Sequence, residues 1–478
     1  MTDRAGLADL AVDEARKAGA TYAEARAERG GSESYLLKNG NPEISDRSVY
    51  DGISVRVLAR GALGFASTND LSPKSVREIA RRAVKLAVAG SKRRKNPIEF
   101  SNEKAEVANV VLKPKRAFAD VPPEERIEFL MDIEKKMPKE VAAPARFFAM
   151  YSGSSDKVYR NSEGARISQA IPRAGMFAFI TVLDKVKKQT EQTMLQFGKA
   201  AGWEYLEHLG AAEKIGDEAK MLAKVIQEGV KCPEETLDIV VGPEISGIAA
   251  HESCGHPFEA DRILGREGAQ AGESHIKPDS LGKRIGSDAV TIVDDPTVEG
   301  TYGWYAYDDE GVKAQRRVLI DKGMIAGFLQ NRDTGTTFKT GSNAAARANS
   351  YEMEPIIRMS NTFFLPGSHT EEELFEGIRN GVYIKTFTEW NIDDRRYNQR
   401  YVGREAYLIE NGKLGAMVRR PVIEMTAPAF DSAIDAASKK VERNAASCGK
   451  GDPMQGIPVD HGGPHLRLRG VRLGSGVK

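Results

Sequence analysis

Hydrophobic residues in the first ninety positions change period twice, which indicates a helix, then strands, then a second helix. Apolar side chains recur at helical spacing across positions 7–18. Alternation with period two follows at 23–28 and 53–57, as in strands with one buried face. The step Asn39–Gly40 between these runs favours a tight hairpin turn. Ser72–Pro73 is a suitable N-cap and first-turn pair for the second helix.

The same order of elements then occurs a second time. Residues 120–125 have the composition of a helix start, and the runs 147–151 and 176–183 resemble strands. A further helical stripe covers 218–230. The repeat has a period of roughly 100 residues and lies in the order of elements rather than in residue identities. It predicts an internally duplicated N-terminal region.

The pattern of hydrophobic and polar residues changes again after residue 231. A strand at 237–242 leads into a helix, and 318–325 and 407–414 are hairpin-like. The predicted fold class is therefore α+β, with a duplicated helix/strand N-terminal domain followed by a mainly β C-terminal domain that carries this helix. The predicted domains are 1–231, with repeats at about 1–115 and 116–231, and 232–478.

Charge and composition exclude several classes of function. The 69 Lys and Arg residues balance 68 Asp and Glu residues to a formal net charge of +1, so no chain-wide field attracts nucleic acid. The basic run 91–97 is interpreted as a solvated helix end. No stretch approaches the ~20 apolar residues of a membrane span, and the N-terminus lacks the apolar core of a signal peptide. We expect a cytoplasmic protein that binds neither nucleic acid nor membrane.

A candidate for chemistry lies in the helix after residue 242, where His251, Glu252 and His256 form a His-Glu-x-x-x-His motif. Two imidazoles and a carboxylate on one turn suit a zinc hydrolase. The familiar His-Glu-x-x-His spacing leaves its histidines about 40° apart, whereas five steps leave them about 140° apart in an ideal helix. A π-bulge or a broken turn would bring them together, and Gly255 permits either. The alternative is a structural helix end with a solvated glutamate.

The residues alone leave the third ligand open. Three cysteines are too few for a disulfide scaffold, so each is expected to be a buried thiol, a nucleophile or a metal ligand. The candidate ligands are Cys448, His461, His465 and Cys254. Cys448 has flanking glycines, so a loop could bring it in, whereas Cys254 lies on the histidine turn itself. A second hypothesis makes Cys254 a nucleophile with His256 as its base. Serine-hydrolase and ATP-binding signatures are absent from the sequence.

The segment around the motif resembles the metal-binding helix of the TldD/PmbA family, which is assigned to metallopeptidases. The matching blocks occur in the family's order and span most of residues 237–478. They are Ala249–Asp261, Tyr307–Val312, Ile357–Thr362, Ala406–Lys413, and Cys448–Lys450 followed by Pro458–Val459. The chain resembles the TldD-type members of the family, because it has the histidine motif that PmbA-type (TldE) members lack.

The resemblance implies a role for four residues. His251, His256 and Cys448 would bind one Zn²⁺ per active site, and Glu252 would be the catalytic carboxylate. Zinc would activate water and polarise the scissile carbonyl, while Glu252 would carry the water proton to the leaving amine. The implied activity is hydrolysis of peptide bonds in unfolded or short peptides.

The resemblance also implies partners. The family's site lies in an enclosed cavity at a dimer interface, where a peptide binds as an added β-strand. The chain would act as a homodimer, or as a heterodimer with a PmbA (TldE)-like paralogue that lacks the motif. The alternative function is a non-catalytic peptide-binding subunit of such a complex.

Several other groups carry weaker expectations. Residues 386–396 replace a glycine-rich stretch of the family and are predicted to line or flank the substrate path. The acids Asp308–Glu310 are expected to form a solvated turn, with orientation of a substrate or ligand as the alternative. His461 and His465 are expected to be partly exposed structural histidines, with contact to a metal ligand as the alternative. Cys232 is expected to be a buried structural thiol.

Overall fold

The change of period near residue 21 produces a long antiparallel hairpin with helices packed against it. The structure, a computed structural model, describes residues 3–269 and 272–477. Asn39 and Gly40 both have positive φ, as the tight turn of a hairpin requires. The Ser72 side chain accepts a hydrogen bond from the Ser75 amide at the start of the second helix, which is the predicted N-cap.

The helices of the described ranges are short apart from four in the N-terminal half. None of them is both long enough and apolar enough to cross a bilayer. They are α1 Arg4–Lys17, α2 Pro73–Ser91, α3 Pro123–Lys135, α4 Trp203–Glu207, α5 Ala211–Glu228, α6 Pro243–Ala249, α7 Ala260–Ile263, α8 Arg332–Phe338, α9 Glu371–Phe375 and α10 Ala427–Ala433.

The N-terminal strands form one sheet from both repeats. The strands are β1 Tyr22–Lys38, β2 Asn41–Ala59, β3 Ala62–Thr68, β4 Val107–Val111, β5 Ala145–Asn161, β6 Arg166–Asp184 and β7 Gln189–Lys199. Their order is β3-β2-β1-β5-β6-β4, and β7 also pairs with β6. The hairpins β1–β2 and β5–β6 meet where β1 pairs antiparallel with β5. Helices α1 and α2 bury their apolar faces on the first hairpin, and α3 to α5 on the second. The duplicated helix/strand arrangement is confirmed.

The C-terminal half is mainly β, as predicted. Its strands are β8 Val230–Lys231, β9 Thr236–Val241, β10 Ile292–Asp294, β11 Arg317–Asp321, β12 Met324–Ile325, β13 Ala346–Arg347, β14 Ile356–Ile357, β15 Asn361–Phe364, β16 Asn380–Ile384, β17 Phe387–Ile392, β18 Asn398–Gly403, β19 Ala406–Glu410, β20 Lys413–Arg419, β21 Pro421–Thr426, β22 Ile434–Ala437, β23 Glu442–Lys450, β24 Gln455–Gly463 and β25 Leu466–Ser475. Hairpins β11–β12 and β19–β20 occupy the two predicted positions.

Two larger sheets organise this half. One has the order β17-β18-β21-β25-β9-β16-β19-β20-β8, with β22 also paired to β25. The other has the order β12-β11-β10-β15-β24-β23. The chain passes from the centre of the first sheet, strand β9, into α6, which packs against β24 and β15 of the second. The motif that follows α6 is thereby placed among buried elements. The division of the chain at residue 231 stays a prediction.

Buried charges join the N-terminal sheet to the C-terminal half. Arg56 on β2 donates to Glu24 Oε1 on β1 and to Glu310 Oε1, each at 2.7 Å. Lys157 on β5 donates to Asp309 Oδ1 at 2.9 Å. Asp308 accepts from the Glu310 and Val312 amides, and burial followed by the charge of Glu310 raises its pKa well above the usual range.

The expectation of a solvated turn at Asp308–Glu310 is therefore wrong. All three acids are buried. Asp309 and Glu310 pair with Lys157 and Arg56, which lie on strands distant in sequence, whereas Asp308 accepts hydrogen bonds from amides of its own turn. Burial of charged groups is tolerated only when they are paired and hydrogen-bonded. The turn at Asp308–Glu310 therefore connects the N-terminal sheet to the C-terminal half through buried ion pairs.

Removing the shared cation of this junction should destabilise the protein. Arg56→Met leaves the carboxylates of Glu24 and Glu310 buried without their partner, which costs about 3–5 kcal/mol. We expect a clear drop in the thermal unfolding midpoint. Arg47→Met is the matched control on the same strand, because Arg47 is 74% exposed and lies 3.4 Å from Glu33, a pair worth about 0–1 kcal/mol. Equal midpoints for the two variants would contradict the assignment.

Candidate metal centre

The two histidines of the motif lie on one widened turn of helix. Residues Ala250–Gly255 form a π-helical turn, and the His256 amide donates to the His251 carbonyl at 3.1 Å, five residues back. This is the first of the two local geometries expected from the spacing. A Cβ at position 255 would overlap Met359 Sδ, so packing against Met359 favours glycine at this position of the turn.

The cysteine that joins these histidines comes from a strand. Cys448 lies on β23 opposite Ile457 of β24, so the expectation of a loop is wrong. Its Sγ lies 3.4 Å from His256 Nε2. Ligand atoms of His251, His256 and Cys448 all lie within 4.8 Å of one another, and the three residues are buried.

The protonation states of these side chains suit a metal. Burial lowers the pKa of His251 below its ordinary value, which keeps the imidazole neutral. Burial alone would raise the pKa of the Cys448 thiol, but the nearby His256 and Arg358 outweigh it, and the pKa is lowered. His251 Nδ1 is buried and has no hydrogen-bond partner among the described residues. Two imidazoles and a thiolate are a donor set that zinc prefers, so the residues fit this ion.

A carboxylate orients one of the histidines. Glu259 Oε2 lies 3.1 Å from His256 Nδ1. Burial would raise the pKa of Glu259, but Lys450, His256 and Arg262 together hold it well below its usual range. A charged carboxylate only accepts hydrogen bonds, so His256 donates from Nδ1 and keeps Nε2 free as a ligand. This carboxylate-histidine arrangement is typical of metal sites.

Lys450 holds this carboxylate in place. Its Nζ lies 3.3 Å from Glu259 and 2.7 Å from Asp261, and it donates to the Ile357 carbonyl at 2.8 Å. Lys450 is two residues from Cys448 on the same strand. The two sides of the candidate site are therefore tied together by buried charges as well as by the ligand atoms.

Glu252 lies beside the ligand cluster and is also buried. Its Oε2 accepts a hydrogen bond from Arg396 Nη1 at 2.8 Å. The alternative of a solvated glutamate is therefore wrong. Arg396 belongs to the predicted substrate-flanking segment 386–396, so the structure brings that segment to the carboxylate of the motif.

The remaining candidates lie outside the cluster. Cys254 is buried in the hydrophobic core, and burial raises its pKa well above the ordinary value. Both ring nitrogens of His256 face Glu259 and Cys448, so the geometry opposes a Cys254–His256 nucleophile and base. Cys232 is a buried thiol, as expected.

His461 and His465 are buried, so the expectation of partial exposure is wrong. The His461 ring centroid lies 6.1 Å from that of His251, and burial lowers the pKa of His461 to about 3. His465 Nε2 lies 2.9 Å from the Tyr383 hydroxyl, and this contact is with a strand residue outside the candidate ligand set. His461 thus packs beside a candidate ligand, whereas His465 packs in the sheet.

Three functional candidates were missed by the sequence reasoning. Glu259 follows His256 by three residues, so helical spacing placed it within reach. Lys450 follows Cys448 by two residues on a strand, which places both side chains on one face. Arg396 had no such local signal, because its contact with Glu252 depends on how a distant hairpin folds.

Family models cover most of the chain. The PmbA/TldA metallopeptidase C-terminal domain matches residues 234–475, domain 1 matches 23–87 and the central domain matches 116–225. The chain belongs to the PmbA/TldD family of metallopeptidases. It is 31% identical to a metalloprotease of Methanocaldococcus jannaschii over 93% of this chain and 95% of the relative. A zinc metalloprotease TldD homolog of Saccharolobus solfataricus is 29% identical over 50% of this chain and 52% of the relative.

Solved structures share the fold over nearly the whole length. TldE from Thermococcus kodakarensis superposes with a TM-score of 0.74 at 17% identity, covering 98% of this chain and 100% of that one. A Bacteroides thetaiotaomicron protein described as a modulator of DNA gyrase gives 0.75 at 17% identity, covering 99% of each chain. At this identity the likeness concerns the fold.

Removal of either side of the ligand cluster should abolish metal binding. We expect the wild-type chain to bind about one zinc ion, and His251→Ala and Cys448→Ala each to lose it, because two ligands are too few for a stable site. Elemental analysis of purified protein is the measurement. Cys254→Ala is the control, since this thiol lies outside the cluster and the variant should keep its zinc. Retention of zinc by Cys448→Ala would contradict the ligand set.

Loss of the orienting carboxylate should weaken metal binding without abolishing it. For Glu259→Gln we expect zinc affinity to fall about 10- to 100-fold, as for other residues that orient metal-bound histidines. Competition with a chromogenic chelator measures this affinity. Glu267→Gln is the control, because Glu267 also contacts Lys450, at 3.5 Å, and lies outside the hydrogen bond to His256. Similar affinities for both variants would show that Glu259 does not act through His256.

Proposed function

We propose that the protein is a zinc metallopeptidase that hydrolyses peptide bonds of unfolded or short peptides, with Glu252 as general base. His251, His256 and Cys448 would hold the ion. The observation that carries the proposal is that these three buried residues have ligand atoms within 4.8 Å of one another. Membership of a metallopeptidase family supports it.

The mechanism assigns a proton transfer to Glu252. When bound, zinc supplies a Lewis acid that lowers the pKa of water to about 7 and polarises a carbonyl group. Glu252 Oε2 is engaged by Arg396, so the other oxygen, Oε1, takes the proton from the attacking water. The same carboxyl group then delivers the proton to the leaving amine nitrogen. His256 is kept in its ligand-competent tautomer by Glu259.

Enclosure of the site supports a preference for unfolded substrates. Exposure is 5% for His251, 5% for Glu252 and 3% for His256, so the backbone of a folded protein could not approach. Strand β17 lies at the end of its sheet and pairs only with β18 in the described part of the chain. The turn after β17 reaches Glu252. An extended peptide could add to this edge through main-chain hydrogen bonds, which read little side-chain sequence.

We further propose a dimeric, cytoplasmic enzyme that works as a homodimer or with a TldE-like partner. The TldE fold of a solved structural neighbour supports such an assembly. The second candidate function is a non-catalytic peptide-binding subunit. The buried histidine, cysteine and glutamate set favours the enzyme, because a binding subunit has no need of it.

Replacement of the proposed base should remove activity and leave the metal. For Glu252→Gln we expect cleavage of an unstructured peptide to fall at least about 100-fold, as for loss of a general base, with zinc content unchanged. Glu273→Gln, whose side chain is 73% exposed, is the control and should cleave like wild type. Chromatography of a defined peptide mixture measures cleavage.

The outcomes separate the two functions. Full activity in Glu252→Gln would overturn the assignment of the base. The binding subunit would be favoured if the wild-type chain binds zinc and peptide but does not cleave the peptide, either by itself or together with a TldE-like protein.

A further inference from the structure

We propose that Arg396 is a positioning residue that holds the Glu252 carboxylate in the orientation needed for proton transfer. The proposal rests on the proposed function of Glu252. It starts from one contact, the hydrogen bond from Arg396 Nη1 to Glu252 Oε2 at 2.8 Å. The two side chains are 14% and 7% exposed. Such a pair is stronger than a surface ion pair, because water screens it less.

The turn between β17 and β18 directs Arg396 towards the site. Arg396 lies between β17 and β18 and has φ +60°, a left-handed conformation that is uncommon for residues other than glycine. This conformation reverses the chain between β17 and β18, as Asn39 and Asn411 do in the hairpin turns β1–β2 and β19–β20. It fixes the direction in which the Arg396 side chain leaves the turn.

Asp393 holds the turn in that conformation. Its carbonyl accepts the Arg396 amide at 2.9 Å. Its side-chain oxygens accept the Tyr397 amide and the Asn398 amide group, each at 2.7 Å. Two of these hydrogen bonds hold the backbone amides of Arg396 and Tyr397, and the third holds the Asn398 side chain against the turn.

The same hairpin is anchored on the helical turn that carries Glu252. The next residue of that turn, Ser253, hydrogen-bonds to Gln399 on β18. Gln399 is buried and also accepts from the Tyr401 hydroxyl at 2.7 Å. From the other side, the His275 amide donates to the Arg395 carbonyl at 3.0 Å. Hairpin and helical turn thus form one connected unit, and Arg396 cannot shift without disturbing several hydrogen bonds.

An arginine suits this role better than a lysine. One nitrogen, Nη1, binds Glu252, while Arg396 Nε is buried and without a hydrogen-bond partner among the described residues. The planar guanidinium keeps its other N–H groups in a fixed fork, whereas an ammonium offers a single mobile point charge.

The experiment compares neighbouring arginines in the zinc-loaded protein. For Arg396→Ala we expect kcat for an unstructured peptide to fall about 10- to 100-fold, as expected for a misplaced catalytic group. KM and zinc content should change little. Arg396→Lys should recover part of kcat. Arg395→Ala is the matched control, because it removes the same charge from a side chain that is 58% exposed and lies 3.9 Å from Glu273. Its kcat should equal that of wild type, and any effect of its position in the substrate-flanking segment should fall on KM.

Chemical rescue separates positioning from a structural role. Millimolar guanidinium chloride should restore part of kcat in Arg396→Ala, and should not stimulate Arg395→Ala or wild type. Thermal unfolding midpoints are measured in parallel, and Arg396→Gln is used if Arg396→Ala unfolds.

Several results would overturn the proposal. The first is a kcat of Arg396→Ala equal to that of Arg395→Ala. The second is a kcat above that of wild type, which would mean that the hairpin obstructs the site. The third is a lower kcat accompanied by loss of zinc and by no rescue. Inactivity of wild type itself would remove the proposed function and this proposal together, so the wild-type arm distinguishes the two failures.

Discussion

The candidate site depends on one hydrogen bond that spans five residues instead of four. The bond from the His256 amide to the His251 carbonyl widens the helix by one residue and turns both imidazoles to the same side. Without it, an ideal helix would leave them about 140° apart. The widened turn packs directly on Met359, and a Cβ at position 255 would overlap its sulfur atom. Tertiary packing therefore favours glycine at this position of the turn.

Paired buried charges hold the side chains around this turn in place. Glu259 lies between His256 and Lys450, and Glu252 is held by Arg396. The junction between the two halves of the chain uses the same device, with Arg56 shared by two carboxylates. An unpaired charge in such places is costly, so each group restricts the arrangement of its neighbours.

Residue patterns predicted the fold where contacts are local. Alternation and helical stripes located the duplicated hairpins, and the five-step spacing with Gly255 predicted either a widened turn or a broken one. The family resemblance, and not periodicity, selected Cys448 from four candidates. The burial of Asp308–Glu310 was not predictable, since its partners on β2 and β5 lie far away in sequence. Arg396 was missed because its direction depends on a left-handed residue within a hairpin turn.

The position of Cys448 has a further consequence for the chain as a polymer. Cys448 is 192 residues beyond His256, so an ion shared by them would close a long loop. Closing a loop of this length costs the unfolded chain considerable entropy, which grows only slowly with length. A ligand that binds only the closed form shifts the folding equilibrium towards it. The ion would thus act as a reversible cross-link. The concentration of available metal would then help to set the fraction of molecules in which the C-terminal half is folded.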